Sequence, residues 1–257
     1  MKLFLTSSPC DDEGGHAIGL PFVFREDNGF AARLRKRLPE GVLGVMLAAY
    51  PDDHERNDAM AGDFAAAFEA LGRPLSDMLM LDSRMGRKAI ARAVSESGVV
   101  LLSGGHVPTQ NAWFSAIGLR EALRDYGGVI MGISAGSMNC CATVYAQPEE
   151  PGEAVDPNYR RFIPGLALTD VMILPHYQMV KDNRVDGLRL FEDISVPDSR
   201  GRVFYAIPDG SYVLQENGRA VLCGEGWELR DGQMQKCCRE GSTLTLRAGP
   251  VTGEAAE

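Results

Sequence analysis

Apolar residues in this chain fall into short continuous runs, separated by stretches with helical spacing. Residues 2–7 open with such a run and read as a first strand. Residues 41–50 (GVLGVMLAAY) are almost wholly apolar, as expected for a strand covered on both faces of a parallel sheet. Residues 58–71 are rich in Ala, with Phe64 and Phe68 four apart, and Gly72 ends the helix they predict. Residues 76–82 predict a third strand, 87–96 a helix with Ile90 and Val94 on one face, and 99–103 a fourth strand running into Gly104-Gly105. A helix over 110–125 stops at Gly127-Gly128, and 129–133 is the fifth strand. This alternation predicts an α/β fold, a mostly parallel sheet with helices on both faces.

The pattern changes further on. Residues 148–158 (PEEPGEAVDPN) form an acidic, Pro-containing loop, read either as a surface segment or as a lid beside a site. Residues 171–174 predict another strand and 182–194 a helix. Residues 202–249 are β-rich, with strands over 203–207, 211–215, 220–223, 227–229 and 244–246. Asn217-Gly218 and Asp231-Gly232 are hairpin turns, so these strands extend the sheet as an antiparallel edge or form a small flap. The tail 252–257 reads as frayed. Residues 1–257 carry no internal repeat and are expected to form one domain.

The fifth strand leads into Gly132-Ile133-Ser134-Ala135-Gly136. A serine on a sharp strand-to-helix turn stands clear of the sheet, and the glycines allow strained backbone and close packing. The turn puts the N–H of Ala135 at a helix N-terminus, where it can stabilise an oxyanion. Ligands of parallel α/β sheets bind beyond the carboxyl ends of the strands. The loops after strands four and five, Gly104-Gly105-His106 and the Ser134 turn, share that edge.

A nucleophilic serine needs a base, and the base needs an orienting acid. Of four histidines (His16, His54, His106 and His176), only His176 follows the turn, just after the run 171–174. If that strand is parallel, His176 reaches the same edge. His16 lies in a Gly-rich loop after strand one, His106 helps to shape the pocket, and His54 reads as a loop residue. Asp209, in Ile207-Pro208-Asp209-Gly210, is the best candidate acid, with Glu149, Glu150 and Asp170 as rivals. The order Ser134, His176, Asp209 departs from the serine–acid–histidine order of α/β-hydrolases and argues against a lipase or esterase.

A formal net charge of −9 disfavours nucleic acid and anionic membrane surfaces as partners. No apolar run approaches a membrane span and no signal peptide is evident, so a cytoplasmic protein is expected. The six cysteines, including the adjacent pairs Cys140-Cys141 and Cys237-Cys238, show no metal-binding spacing and read as reduced, mostly buried thiols. Cys140 and Cys141 are expected in the helix that follows Ser134.

Leu102-Ser103-Gly104-Gly105, the Ser134 pentapeptide, Leu174-Pro175-His176-Tyr177 and Ile207-Pro208-Asp209-Gly210 together resemble the serine peptidase family of the aspartyl dipeptidases (peptidase E) and cyanophycinases. The likeness follows element order over about residues 1–215. It implies a class I glutamine amidotransferase-like (flavodoxin-like) fold with serine in place of the nucleophilic cysteine. Carried over, it makes Ser134 the nucleophile, His176 the base and then acid, and the N–H groups of Gly105 and Ala135 the oxyanion hole. The family usually has Glu where Asp209 stands, and an acid after the nucleophile has also been given that role; Glu149 is nearest to it. Lys181-Asp182-Asn183-Arg184 matches the aspartate-recognition segment loosely, with Arg184 as a carboxylate partner.

The expected activity is hydrolysis of short peptides through an acyl-enzyme, dipeptidase-like and including Asp-X, with no metal or organic cofactor. A homodimer is common among such folds. The alternatives are an acyl hydrolase acting on esters with the same serine, or a non-catalytic binding module.

Overall fold

The computed structural model describes residues 1–10 and 22–246; His16 and the tail 252–257 lie outside the described residues. Five parallel strands form the centre: β1 (Lys2–Thr6), β2 (Leu43–Leu47), β3 (Asp77–Leu81), β4 (Val99–Leu102) and β5 (Val129–Ile133). They lie side by side in the order β3-β2-β4-β5-β1. Successive residues of a strand point to opposite faces. Leu3, Leu5, Val45, Leu47, Val100, Leu102 and Ile130 therefore join a core on one face. Phe4, Met46, Val99, Leu101, Val129 and Met131 join a second core on the other.

The helices divide accordingly. α1 (Phe30–Arg37) and α2 (His54–Ala70) cover the second core with Phe30, Leu34, Phe64 and Phe68. α3 (Arg87–Glu96), α4 (Val107–Ile117) and α5 (Leu119–Leu123) cover the first with Ile90, Val94, Phe114, Ile117 and Leu119. The helix expected over 110–125 is thus two helices beginning at Val107, with Pro108 in its first turn. Gly118, at φ 67°, takes the left-handed conformation that ends α4.

Beyond Ser134 come the short α6 (Ala135–Asn139), the paired strands β6 (Thr143–Tyr145) and β7 (Phe162–Pro164), β8 (Met172–Leu174) and α7 (Tyr177–Val180). α6 ends before Cys140 and Cys141, which lie buried just past it. The helix expected over 182–194 does not form as such. Its first part is the hairpin β9 (Arg184–Val185) and β10 (Leu188–Arg189), and only Leu190–Ser195 is helical, as a π-helical turn. Asp186-Gly187, both at positive φ, is the same hairpin turn seen at Asp231-Gly232, and it overrides the helical spacing.

The β-rich end serves two sheets. β11 (Val203–Ala206) runs parallel to β8 in a second, four-stranded sheet with β14 (Gly226–Arg230) and β15 (Gln233–Cys238). β12 (Tyr212–Glu216), β13 (Arg219–Cys223) and β16 (Thr243–Leu246) extend the central sheet antiparallel from β1. Both readings of this segment, antiparallel extension and separate flap, are therefore realised. The turn between β11 and β12 carries the chain from one sheet to the other, and Asp209 lies in it. No helix among the described residues is long and apolar enough to cross a membrane.

β1 is the strand on which both halves of the central sheet are built, and Phe4 anchors its inner face. Its ring lies 5.4 Å from that of Phe30 in an edge-on contact and 6.3 Å from that of Tyr212. Phe4→Ala is expected to cost about 3–5 kcal/mol, read as a lowered denaturant midpoint with an unchanged slope.

Candidate active site

β1, β5, β4 and β2 are parallel neighbours, so their carboxyl ends open on one edge. The residues that follow them, Ser7-Ser8-Pro9, Ser134, Gly104-Gly105 and Tyr50, line one side of a cavity of about 450 Å³. α2 adds Arg56, Met60, Asp63 and Phe64 to the lining, next to Phe22. His176 completes the lining.

Ser134 has φ 51° and ψ −118°, a conformation that non-glycine residues rarely hold. The surroundings fix it. Its own N–H donates to the carbonyls of Thr6 (3.0 Å) and Ser7 (3.2 Å). The Ser137 hydroxyl accepts from the Thr6 N–H at 2.8 Å and donates to the Thr6 carbonyl at 2.8 Å. These bonds tie α6 to the end of β1. The flanking glycines are required by packing. A Cβ on Gly132 would lie 2.6 Å from the Ser137 Cα, and one on Gly136 would collide with the Leu102 carbonyl. Gly104 passes so close that its Cβ would sit 3.2 Å from that of Ser134. A Cβ on Gly105 would lie 2.5 Å from that of Ala49. Neither the Gly105 nor the Ala135 N–H bonds to a described residue.

His176 comes from the second sheet. β8 and β11 end in register, Leu174 beside Ala206, so the residues just beyond them, His176 and Asp209, meet. The expected parallel strand exists, but it pairs with β11 and not with the central sheet. His176, at φ 57°, turns its ring so that Nδ1 lies 2.8 Å from the Asp209 carboxylate. Burial alone would raise Asp209. The hydrogen bond and charge of His176, with hydrogen bonds from Ser7 and Gln178, outweigh it and hold the carboxyl down at about 2. An ionised carboxylate only accepts, so His176 Nδ1 carries the proton and Nε2 is left as a base. Ser134 makes no hydrogen bond with His176 among the described residues; both side chains face the same cavity.

Ser7 joins this pair and was not singled out by the sequence. Its hydroxyl accepts the His176 N–H at 2.7 Å, donates to Asp209 Oδ1 at 2.5 Å, and lies 3.2 Å from His176 Nδ1. The signal available was positional, since Ser7 follows a central parallel strand just as Ser134 does. Arg56 and Asp63, in a helix that reads as an ordinary amphipathic element, gave no signal.

The other candidates lie elsewhere. Glu149 makes no hydrogen bond with His176 among the described residues; its backbone N–H donates to Glu153 Oε2 at 2.8 Å. Desolvation of its carboxyl pushes it up to about 7, with Glu153 and Glu150 adding to the rise and His106 and His176 opposing it. Glu150 is exposed, and Asp170 precedes β8, at the end away from His176. His106 is engaged by Thr109 at 2.8 Å and Glu153 at 2.9 Å and does not line the cavity. Arg184 is exposed in the β9–β10 hairpin, where it donates to the Gly187 carbonyl at 2.9 Å, outside the cavity lining. The same hairpin fastens the 148–158 loop, because Asp186 accepts the N–H groups of Gly152 (2.8 Å) and Ala154 (3.0 Å). His54 begins α2 and bonds Ser83 at 3.0 Å. Burial pushes the Cys140 and Cys141 thiols up, which rules them poor nucleophiles. His106, Glu150 and Glu153 bring ligand atoms within 4.8 Å of one another, the one grouping of metal-binding character among the described residues. The hydrogen bonds of Glu153 to His106 and to the loop N–H groups account for that clustering.

The depressed Asp209 carboxyl ties stability to pH. Its folded value lies below its unfolded one, so its contribution is complete above about pH 4 and is lost as pH falls towards 2. Asp209→Asn is expected to flatten that part of the acid-unfolding profile, by about 2 kcal/mol. Ser7→Ala should show a partial form of the same flattening.

A model of the peptidase family S51 matches residues 48–223, more than half of the chain. No curated protein matches the sequence. Among solved structures, a peptidase from an acI-B1 actinobacterium superposes with a TM-score of 0.66 at 15% identity, covering 95% of this chain and 96% of that one. A putative peptidase E protein from Listeria monocytogenes EGD-e superposes with a TM-score of 0.58 at 16% identity, covering 92% and 98%. At such identities these likenesses speak for the fold.

Proposed function

The chain belongs to peptidase family S51 and is a serine peptidase, and from that premise we propose that it hydrolyses short peptides with Ser134, His176 and Asp209 as its triad. The observation that carries this reading is the 2.8 Å bond between His176 Nδ1 and Asp209, with His176 and Ser134 lining one cavity. Ser134 Oγ attacks the peptide carbonyl carbon as His176 Nε2 takes its proton. Asp209, ionised at neutral pH, steadies the imidazolium. The carbonyl oxygen becomes an oxyanion facing the N–H groups of Gly105 and Ala135. His176 then gives its proton to the leaving amine as the C–N bond breaks. Water, deprotonated by the same nitrogen, hydrolyses the acyl-serine ester and restores Ser134.

Asp209 is preferred to Glu149 as the triad acid because it touches the imidazole, whereas Glu149 makes no hydrogen bond with His176 among the described residues. The shorter side chain of Asp, against the Glu usual in the resembling family, reaches the ring because β8 and β11 end in register. All six cysteines are free thiols, in keeping with a cytoplasmic location.

A panel of di- and tripeptides with acidic and neutral N-termini, followed by mass spectrometry, tests this reading. Cleavage is expected for the wild type and should vanish for Ser134→Ala. Asp209→Asn should lower kcat by about 10³-fold or more, while Glu149→Gln leaves it unchanged. Retention of activity in Ser134→Ala would overturn the assignment of the nucleophile, and a reversed order of the two acid variants that of Asp209.

A further inference from the structure

We infer that the α2 wall of the cavity recognises both charged ends of an unblocked short peptide, Asp63 taking the ammonium group and Arg56 a carboxylate. The inference rests on peptides being the substrates of the Ser134 site. Arg56 and Asp63 are seven residues apart on one helix, which places them on the same face, and both line the cavity. Met60 and Phe64, from the same face, line it with them. The wall thus reads positive, apolar, negative.

Among the described residues Arg56 and Asp63 form no ion pair, whereas Asp58 of the same helix is held by Arg84. The Arg56 guanidinium lies over the Tyr50 ring, its central carbon 5.6 Å from the ring centre. That contact orients the group and leaves its N–H donors free for a carboxylate. Tyr50 in turn lies against Gly105, where a Cβ would be 3.1 Å from the ring. Arg56 is therefore on the Gly105 side of the cavity. Arg56 is exposed and Asp63 half-buried, so both charges are open to a ligand that enters beside Phe22, Met60, Phe64 and Ile133.

The spacing sets the size of that ligand. Seven residues of helix advance about 10.5 Å. An extended peptide advances about 3.5 Å per residue, so about three residues span the two charges. The class of ligand is a zwitterionic peptide of two or three residues with an apolar side chain for Phe22, Met60 and Phe64. Arg184, outside the cavity, has no part in it.

Binding to the Ser134→Ala protein, measured by calorimetry, tests this without turnover. The probes are Ala-Phe-Ala, its N-acetyl form, its C-terminal amide, and Asp-Phe-Ala amide. Each block is expected to weaken binding about tenfold. Adding Arg56→Gln should weaken the free tripeptide about tenfold but not its amide, with Arg56→Lys restoring part of the loss. Adding Asp63→Asn should weaken the free tripeptide but not its acetyl form. If Asp-Phe-Ala amide recovers the affinity, the carboxylate read is a side chain and the inference falls; if it does not, it is the C-terminus. Equal affinity for blocked and free peptides, variants that weaken all probes alike, or no peptide binding would overturn the inference. Wild-type turnover and its loss in Ser134→Ala judge the nucleophile separately.

Discussion

Two sheets meet at the end of β1, and the hydroxyl of Ser7 is where they are joined. Ser134 stands on the central sheet, after β5, while His176 and Asp209 stand on the second sheet, after β8 and β11. A hydroxyl that accepts the His176 N–H and donates to Asp209 ties the two sheets at the point of use. The neighbouring Ser8 carbonyl accepts the Gly210 N–H at 3.2 Å and adds a backbone bond to the same seam. This junction holds Ser134 and His176, which stand on different sheets, at one edge of the fold. Geometry within fractions of an ångström is what acid–base catalysis demands.

The strain at the site is held by packing that leaves no room for alternatives. Ser134 and His176 both occupy the positive-φ region. Each is held by bonds to the end of β1, Ser134 through the Thr6 and Ser7 carbonyls and His176 through the Ser7 hydroxyl. The close approach of Gly136 to Leu102 and of Gly132 to Ser137 fixes the turn from behind. Strain of this kind persists only where the surroundings over-determine it. Here one strand, buried in the middle of its sheet, supplies most of that determination.

Electrostatics follow from the same arrangement. A half-buried carboxylate would ordinarily drift up, but three donors converge on Asp209 and keep it ionised. An ionised Asp209 fixes the tautomer of His176. Arg56 and Asp63 of α2, without an ion pair among the described residues, line the same cavity as His176, about 10.5 Å apart along the helix. The fold thus brings Ser134 and His176 from the ends of strands, and Arg56 and Asp63 from a helix, to one cavity.

The local signals determined much of this protein. Runs of apolar residues set the five parallel strands, with 87–96 and 129–133 matching their elements to the residue. The glycine pair around Ser134 fixed the turn, because only glycine tolerates such approach of neighbouring chain. Asn217-Gly218 and Asp231-Gly232 fixed two hairpins through their own backbone preference. The Asp186-Gly187 turn was equally local and was masked by helical spacing on either side. Ser7, Arg56 and Asp63 left no such trace. A serine after a strand and two charges seven apart on a helix are ordinary in sequence, and become a site only when distant segments pack. Ser7 meets His176 and Asp209 across separations of 169 and 202 residues. That Asp209 meets the His176 ring likewise follows from the register of β8 on β11. Local preference governs which elements form, but contacts between remote residues depend on how those elements stack, and that is decided in three dimensions.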